Sequence, residues 1–129
     1  PIQYQDNIAS THEAGRFGAT EIGDEAQEVV LVVILDTKNK INAIHRVFTG
    51  SLNTSVAHPR EIFRSALLNN GARILVYHNH PSGNTEPSEA DLIFTKRMEE
   101  AGNILGIDLL DHIIVSGKEW LSLREYGLL

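Results

Sequence analysis

The apolar run Val29-Val30-Leu31-Val32-Val33-Ile34-Leu35 constrains the fold of this chain more than any other segment. The stretch 28 to 35 shows no polar–apolar alternation, so a strand there is buried on both faces and belongs in the middle of a sheet. Asp36 to Lys40 reads as a hairpin loop, returning through a strand at 41 to 48. The segment 51 to 58 is polar and reads as loop. A helix from Pro59 to Asn69 carries Ile62, Phe63, Ala66 and Leu67 on one face and is ended by Asn69-Asn70-Gly71. A strand at 73 to 78 follows, then a helix from 89 to 105 with a core stripe of Ala90, Phe94, Met98, Ala101 and Leu105, stopped by Gly106. Strands at about 109 to 115 and 119 to 122 close the chain, with Trp120 packing on the sheet edge. Upstream, Ser10-Thr11-His12-Glu13 reads as a capping box opening a short helix to about Thr20. The fold class is therefore α/β, a three-layer-like sandwich around a mixed sheet. Residues 1–129 form one domain, with 1–27 as a helical lead-in and 28–129 as the core. No repeat, low-complexity tract or internal linker interrupts it.

Composition bounds the function. A chain of 129 residues, 42% hydrophobic, has room for one real core. No apolar run approaches about 18 residues, and no basic n-region precedes an apolar h-region, so neither a membrane span nor a signal peptide is expected. The absence of cysteine rules out a disulfide framework and thiolate metal ligands, and fits a reducing cytoplasm. It also excludes the cysteine-containing zinc site of nucleobase deaminases. The net charge of −6, with scattered basic residues, argues against direct nucleic-acid binding.

The chemistry is concentrated in His78-Asn79-His80 and the residues that follow. Side chains alternate along a strand, so His78 and His80 point one way and Asn79 the other. Pro81, Ser82, Gly83 and Asn84 break the strand and turn the chain. Ser88 reads as a helix N-cap, with Pro87 before it and an acid three residues after it. Asp91 then falls in the first helical turn, where its carboxylate can bend back toward the histidines. Two histidines and one carboxylate leave a fourth tetrahedral position open, the mark of a catalytic zinc site. Taken singly, each feature has a bland reading: a His-x-His pair is common, Asp91 can serve the helix dipole, and Ser88 can simply be a cap.

The spacing His-x-His, seven residues, Ser, two residues, Asp resembles the JAMM (MPN-type) metalloprotease motif. The surrounding words resemble its RadC-like bacterial branch: Leu35-Asp36-Thr37-Lys38-Asn39, Gly50-Ser51-Leu52-Asn53, His58-Pro59-Arg60-Glu61, His78-Asn79-His80-Pro81-Ser82-Gly83 and Leu109-Leu110-Asp111-His112. The resemblance runs from about residue 28 to the C-terminus. It implies a JAMM/MPN, cytidine-deaminase-like architecture with Zn2+ held by His78, His80 and Asp91, and hydrolysis of a peptide or isopeptide bond by metal-activated water. It also implies an upstream glutamate acting as general acid/base. Glu28, at the head of the apolar run, is the choice, with Glu25 and Glu61 as competitors. Ser88 would donate a hydrogen bond to the oxyanion; it can cap the helix or serve the oxyanion, but hardly both at once. Members often carry an N-terminal helix-hairpin-helix-like domain that this sequence lacks, which suggests either a truncated chain or a short member.

Two classes of function follow. The first is a zinc metallopeptidase acting on a protein or peptide substrate, which could add as a strand to an exposed sheet edge. The alternative is a non-catalytic or accessory module in DNA repair, the family's traditional label, to which the charge of this chain lends no support. Metal-dependent phosphodiester cleavage fits the acidity and the single-metal ligand set less well. The oligomeric state stays open, a homodimer being one option. Of the remaining residues, His112 could approach the site but reads more simply as hydrogen-bonded within a strand. His58 reads as a helix-start residue, and His12 and His45 lack partners. Asn79 and Ser82 read as holders of loop geometry before substrate contacts, and Thr49 to Asn53 as either a cleft border or a turn.

Overall fold

In the computed structural model, which describes residues 7–49, 52 and 58–129, the run Val29–Leu35 forms β1 with every residue buried. Its lack of alternation has a direct cause. Val30, Val32 and Ile34 face one core, built with Ile62, Phe63, Ala66, Phe94 and Met98. Val29, Leu31, Val33 and Leu35 face a second core, built with Ala14, Phe17 and Ile22. Alternate side chains enter different cores, and neither face meets water.

The elements in chain order are α1 (Thr11–Ile22), β1, β2 (Ile41–Thr49), α2 (Pro59–Leu68), β3 (Arg73–Asn79), α3 (Glu89–Leu105), β4 (Asp108–Ser116) and β5 (Glu119–Ser122). The sheet order is β2-β1-β3-β4-β5, mixed because β3 and β4 alone run parallel, joined through α3. Helix α1 covers one face, and α2 with α3 the other. The α/β sandwich read from the sequence is thus the observed architecture, and α1 is one of its three layers rather than a lead-in beside it. The polar stretch 51 to 58 lies outside the described residues except for Leu52, which is buried, and His58.

Local signals act where the sequence places them. The Ser10 side chain accepts from the Glu13 amide at 3.1 Å and caps α1. Asp36 Oδ1 accepts from the amides of Lys38 and Lys40, at 2.8 and 2.9 Å, which closes the β1–β2 hairpin around Asn39 in the left-handed region, φ 62°. Gly106 ends α3 with φ 72°. Gly18 lets the Tyr77 ring lie against α1, where a Cβ would overlap it, and Tyr77 Oη donates to the Ala14 carbonyl at 2.7 Å.

Three expectations need correction. Leu67 is 59% exposed, because Ile62, Phe63 and Ala66 already define the inward stripe of α2 and the next residue rotates off it. Along α3 the buried line is Asp91, Phe94, Thr95, Met98 and Gly102, so Ala90 is exposed and Leu105 half-exposed on its flanks. Ala90 points out because Asp91 points in. His12 has a partner: its ring meets the Trp120 indole edge-on at 6.0 Å.

Candidate metal centre

β3 delivers His78 and Asn79 fully into the interior, and His80 leaves the sheet one step later. The His80 amide still donates to the Val115 carbonyl at 2.8 Å, and Ser116 Oγ donates to the His80 carbonyl at 2.7 Å. The strand geometry therefore persists through the second histidine, and both imidazoles emerge on one side, ring centroids 5.2 Å apart. The chain then turns at Pro81–Gly83, with Gly83 at φ 97°, a value glycine adopts without steric cost.

The turn also sets a tautomer. His80 Nδ1 lies 2.8 Å from the Asn84 carbonyl oxygen, which can only accept, so Nδ1 carries the proton. In the neutral ring Nε2 is then a bare lone pair, and it faces Asp91 Oδ2 at 3.0 Å. A lone pair against a carboxylate calls for a second proton or a cation.

Asp91 enters from the first turn of α3 and is completely buried. Its Oδ1 lies 3.0 Å from His78 Nδ1. Its Oδ2 accepts from the Ser88 amide at 2.8 Å and from Ser88 Oγ at 2.9 Å, while the Asp91 amide donates to Ser88 Oγ at 3.1 Å. This is a reciprocal capping box. The cap uses a lone pair of Ser88 Oγ and leaves its hydrogen on Asp91 Oδ2. Capping and donation to another oxygen are therefore compatible, and the expected conflict between them disappears.

The electrostatics follow from these contacts. Burial by itself would raise the Asp91 carboxyl, but the bonds from His78, His80 and the Ser88 amide outweigh it and hold the group well below the ordinary carboxylate range. The bond to Asp91 raises the His80 imidazole, against burial and with help from the Asn84 carbonyl.

Glu28, just before β1, completes the cluster. Its Oε1 lies 3.2 Å from His78 Nε2, and its side chain is 31% exposed where that of His78 is 3%. Of the acids weighed from the sequence, Glu25 instead pairs with Arg46 at 2.6 Å, and Glu61 lies 3.8 Å from Arg60 on α2. His78 Nε2 is buried and lacks an aligned hydrogen bond, even with Glu28 so near. This orphaned nitrogen, the proton-free face of His80 and a fully buried carboxylate together fit a divalent cation. One ligand atom from each of His78, His80 and Asp91 lies within 4.8 Å of the others, and these residues could hold a metal ion.

Two polar side chains beside the cluster have structural partners. Asn79 points away from Asp91, accepting from the Val29 amide at 2.6 Å and donating to the carbonyls of Gln27 and Glu25 at 3.0 and 3.3 Å. His112 is completely buried in β4, with Nδ1 2.7 Å from Thr95 Oγ1. The Thr95 hydroxyl donates to the Asp91 carbonyl at 2.7 Å, so His112 Nδ1 must donate to Thr95 and its Nε2 is a buried acceptor without a hydrogen-bond partner among the described residues. Burial pushes His112 down to about 3. Thr95 escaped the sequence reading; its spacing of four residues from Asp91 on the buried face was the available signal.

Comparison with known proteins agrees with this geometry. The family model of the RadC-like JAB domain matches residues 8–128. A UPF0758 protein of Clostridium beijerinckii is 52% identical over 109 residues, covering 84% of this chain and 48% of its own length. UPF0758 proteins of Enterococcus faecalis and Latilactobacillus sakei are 49% and 44% identical, over 92% and 95% of this chain and 51% and 54% of theirs. The chain thus spans about half the length of these curated relatives. With its mixed five-stranded sheet and its His78–His80–Asp91 cluster, the chain belongs to the RadC-like JAB domain family, within the JAMM/MPN superfamily.

Proposed function

We propose that this domain is a zinc-dependent hydrolase that cleaves a peptide or isopeptide bond. The observation that carries the reading is the meeting of four side chains from three separate places, Glu28, His78, His80 and Asp91, with the acid on the more exposed side of a buried ligand set. A structural site is closed by four protein ligands, whereas this one offers three and a nearby carboxylate.

His78, His80 and Asp91 would hold the zinc. When bound, zinc with an open position polarises a carbonyl and brings the pKa of water to about 7. Glu28 Oε1 would accept a proton from the attacking water and return it to the leaving amine. Ser88 Oγ would swing its hydrogen from Asp91 Oδ2 to the carbonyl oxygen of the substrate while its lone pair keeps the cap, and such donors count most as negative charge develops. Strand β2 is an edge of the sheet, and its last residue pairs with Val29, next to Glu28. An extended peptide added to that edge would lie one strand beyond β1, at the end of the sheet where Glu28 sits, and a protein or peptide substrate could reach the acid from there. No helix among the described residues is long and apolar enough to cross a membrane.

Zinc quantification coupled to cleavage of a peptide library tests the reading. Wild type is expected to bind one zinc and cleave, Glu28→Gln to keep zinc and lose turnover by about a hundredfold or more, and Ser88→Ala to lose about a hundredfold in kcat at unchanged zinc content. Equal turnover by wild type and Glu28→Gln would sink the mechanism, and a protein that binds no zinc would remove the site.

A further inference from the structure

Asn79 separates the two histidines and faces away from the metal cluster, yet it is completely buried and its carboxamide is fully directional. Its oxygen takes the Val29 amide at 2.6 Å, and its nitrogen gives both hydrogens, to the carbonyls of Gln27 at 3.0 Å and Glu25 at 3.3 Å. These groups belong to the segment that leads into β1. Ladder pairing between β1 and β3 begins only at Val30 with His78, so the Asn79 side chain extends the β1–β3 contact beyond its last paired residues. Two of the three bonds fall on the residues immediately before and after Glu28. The backbone of Glu28 is therefore gripped from both sides by the residue next in sequence to His78, the ring that its carboxylate approaches at 3.2 Å.

We propose that Asn79 is a positioning residue: by clamping Gln27 and Val29 it fixes the distance between the Glu28 carboxylate and the metal ligand His78. The catalytic part of this inference rests on the hydrolase reading above; the geometric part does not. The amide is specific in this place. Aspartate has the same shape and can still accept from Val29, but it sets an acceptor against two carbonyls. Serine is too short to bridge the segment. The Glu25 side chain pairs with Arg46 of the edge strand, so it turns away from β3 and leaves the backbone grip of Asn79 as the tie described above.

The test uses Asn79→Ser and Asn79→Asp, each alone and combined with Glu28→Gln. Both single variants are expected to keep one zinc per chain. Exchange of the Val29 amide should rise by about tenfold or more in Asn79→Ser, and crystal structures should show the Glu28 carboxylate displaced beyond about 4 Å from His78. With the most readily cleaved library peptide, kcat should fall by about tenfold or more with KM within about twofold, and the Glu28→Gln background should show no further loss, since a group that acts through Glu28 has nothing left to position. A Glu28 carboxylate that keeps its place beside His78 in both variants would overturn the proposal. So would losses that multiply with Glu28→Gln, or failure of both variants to fold, which would make Asn79 a stability residue alone. If wild type cleaves nothing, or Glu28→Gln keeps full turnover, the hydrolase reading fails, and amide exchange with the Glu28–His78 separation still decides what Asn79 holds.

Discussion

Two aspartates, Asp91 in α3 and Asp111 in β4, are buried, and both belong to a short motif that contains histidine. Their partners differ. The oxygens of Asp91 meet two imidazoles and the Ser88 cap, groups that can exchange a proton or turn to a ligand. Those of Asp111 meet the Ser122 hydroxyl and the amides of His112 and Arg124, and Arg124 also donates to the carbonyls of Leu109 and Leu110. Asp111 thereby ties the segment after β5 back to β4. The ionisations shift in opposite directions: imidazole partners carry Asp91 below the ordinary carboxylate range, whereas burial raises Asp111 and its neutral donors offset that only in part. A buried carboxylate is therefore a site or a fastener according to what it faces.

The sharpest break in the comparison is metal binding. Asp91→Ala should weaken zinc binding by about a hundredfold or more, beyond the loss usual for a supporting group. Asp111→Ala should leave zinc affinity within about twofold, measured by competition with a chromophoric chelator. Stability reverses the ranking. Asp111→Ala strands a buried hydroxyl and two amides and should cost about 2–4 kcal/mol in urea unfolding. Comparable zinc losses in the two variants would erase the distinction.

Much of this was legible in the residues themselves. Val29–Leu35 announced a strand covered on both faces, and the offsets from His78 to Asp91 pointed to three side chains that the fold brings together and that could hold a metal ion. The grip of Asn79 on Gln27 and Val29 was not legible, because its partners lie about fifty positions upstream and are backbone groups, which carry no side-chain signature. The exposure of Leu67 and Leu105 was missed for a different reason: helical periodicity gives a face, but how wide a stripe is covered depends on the partner element. The word Leu109-Leu110-Asp111-His112 carried the family resemblance, and its aspartate fastens β4 to the C-terminal segment.

Titration of the metal-free protein sharpens the contrast in sign. The folded pKa of Asp91 is depressed, so its contribution is present above the ordinary carboxylate value of 3.8 and is lost as pH falls toward the folded value. The folded pKa of Asp111 is raised, so the fold favours its protonated form, and stability declines as pH rises from 3.8 toward the folded value. Between about pH 3 and pH 5, the stability advantage of wild type over Asp91→Asn should grow with pH, while that over Asp111→Asn should shrink. His80, raised by its bond to Asp91, contributes below its ordinary 6.5 and loses that contribution as pH rises through its folded value. Parallel slopes for the two aspartate variants would contradict the assignment.

The smallest effect concerns the residue that joins the two regions. Thr95 donates to the carbonyl of Asp91 and accepts from His112, which follows Asp111 in β4. Thr95→Val keeps the shape and removes the hydroxyl, leaving His112 Nδ1 and the Asp91 carbonyl without that bond in a buried place. The expected cost is about 1–3 kcal/mol of stability. The Asp91 side chain is held independently by Ser88 and the histidines, so zinc affinity should stay within about threefold. His112 Nδ1–H resonances, followed by NMR, should lose their protection from exchange in the variant. If zinc affinity instead fell as far as in Asp91→Ala, the hydroxyl would belong to the metal centre, and the line between the site and the fastener would have to be redrawn through His112.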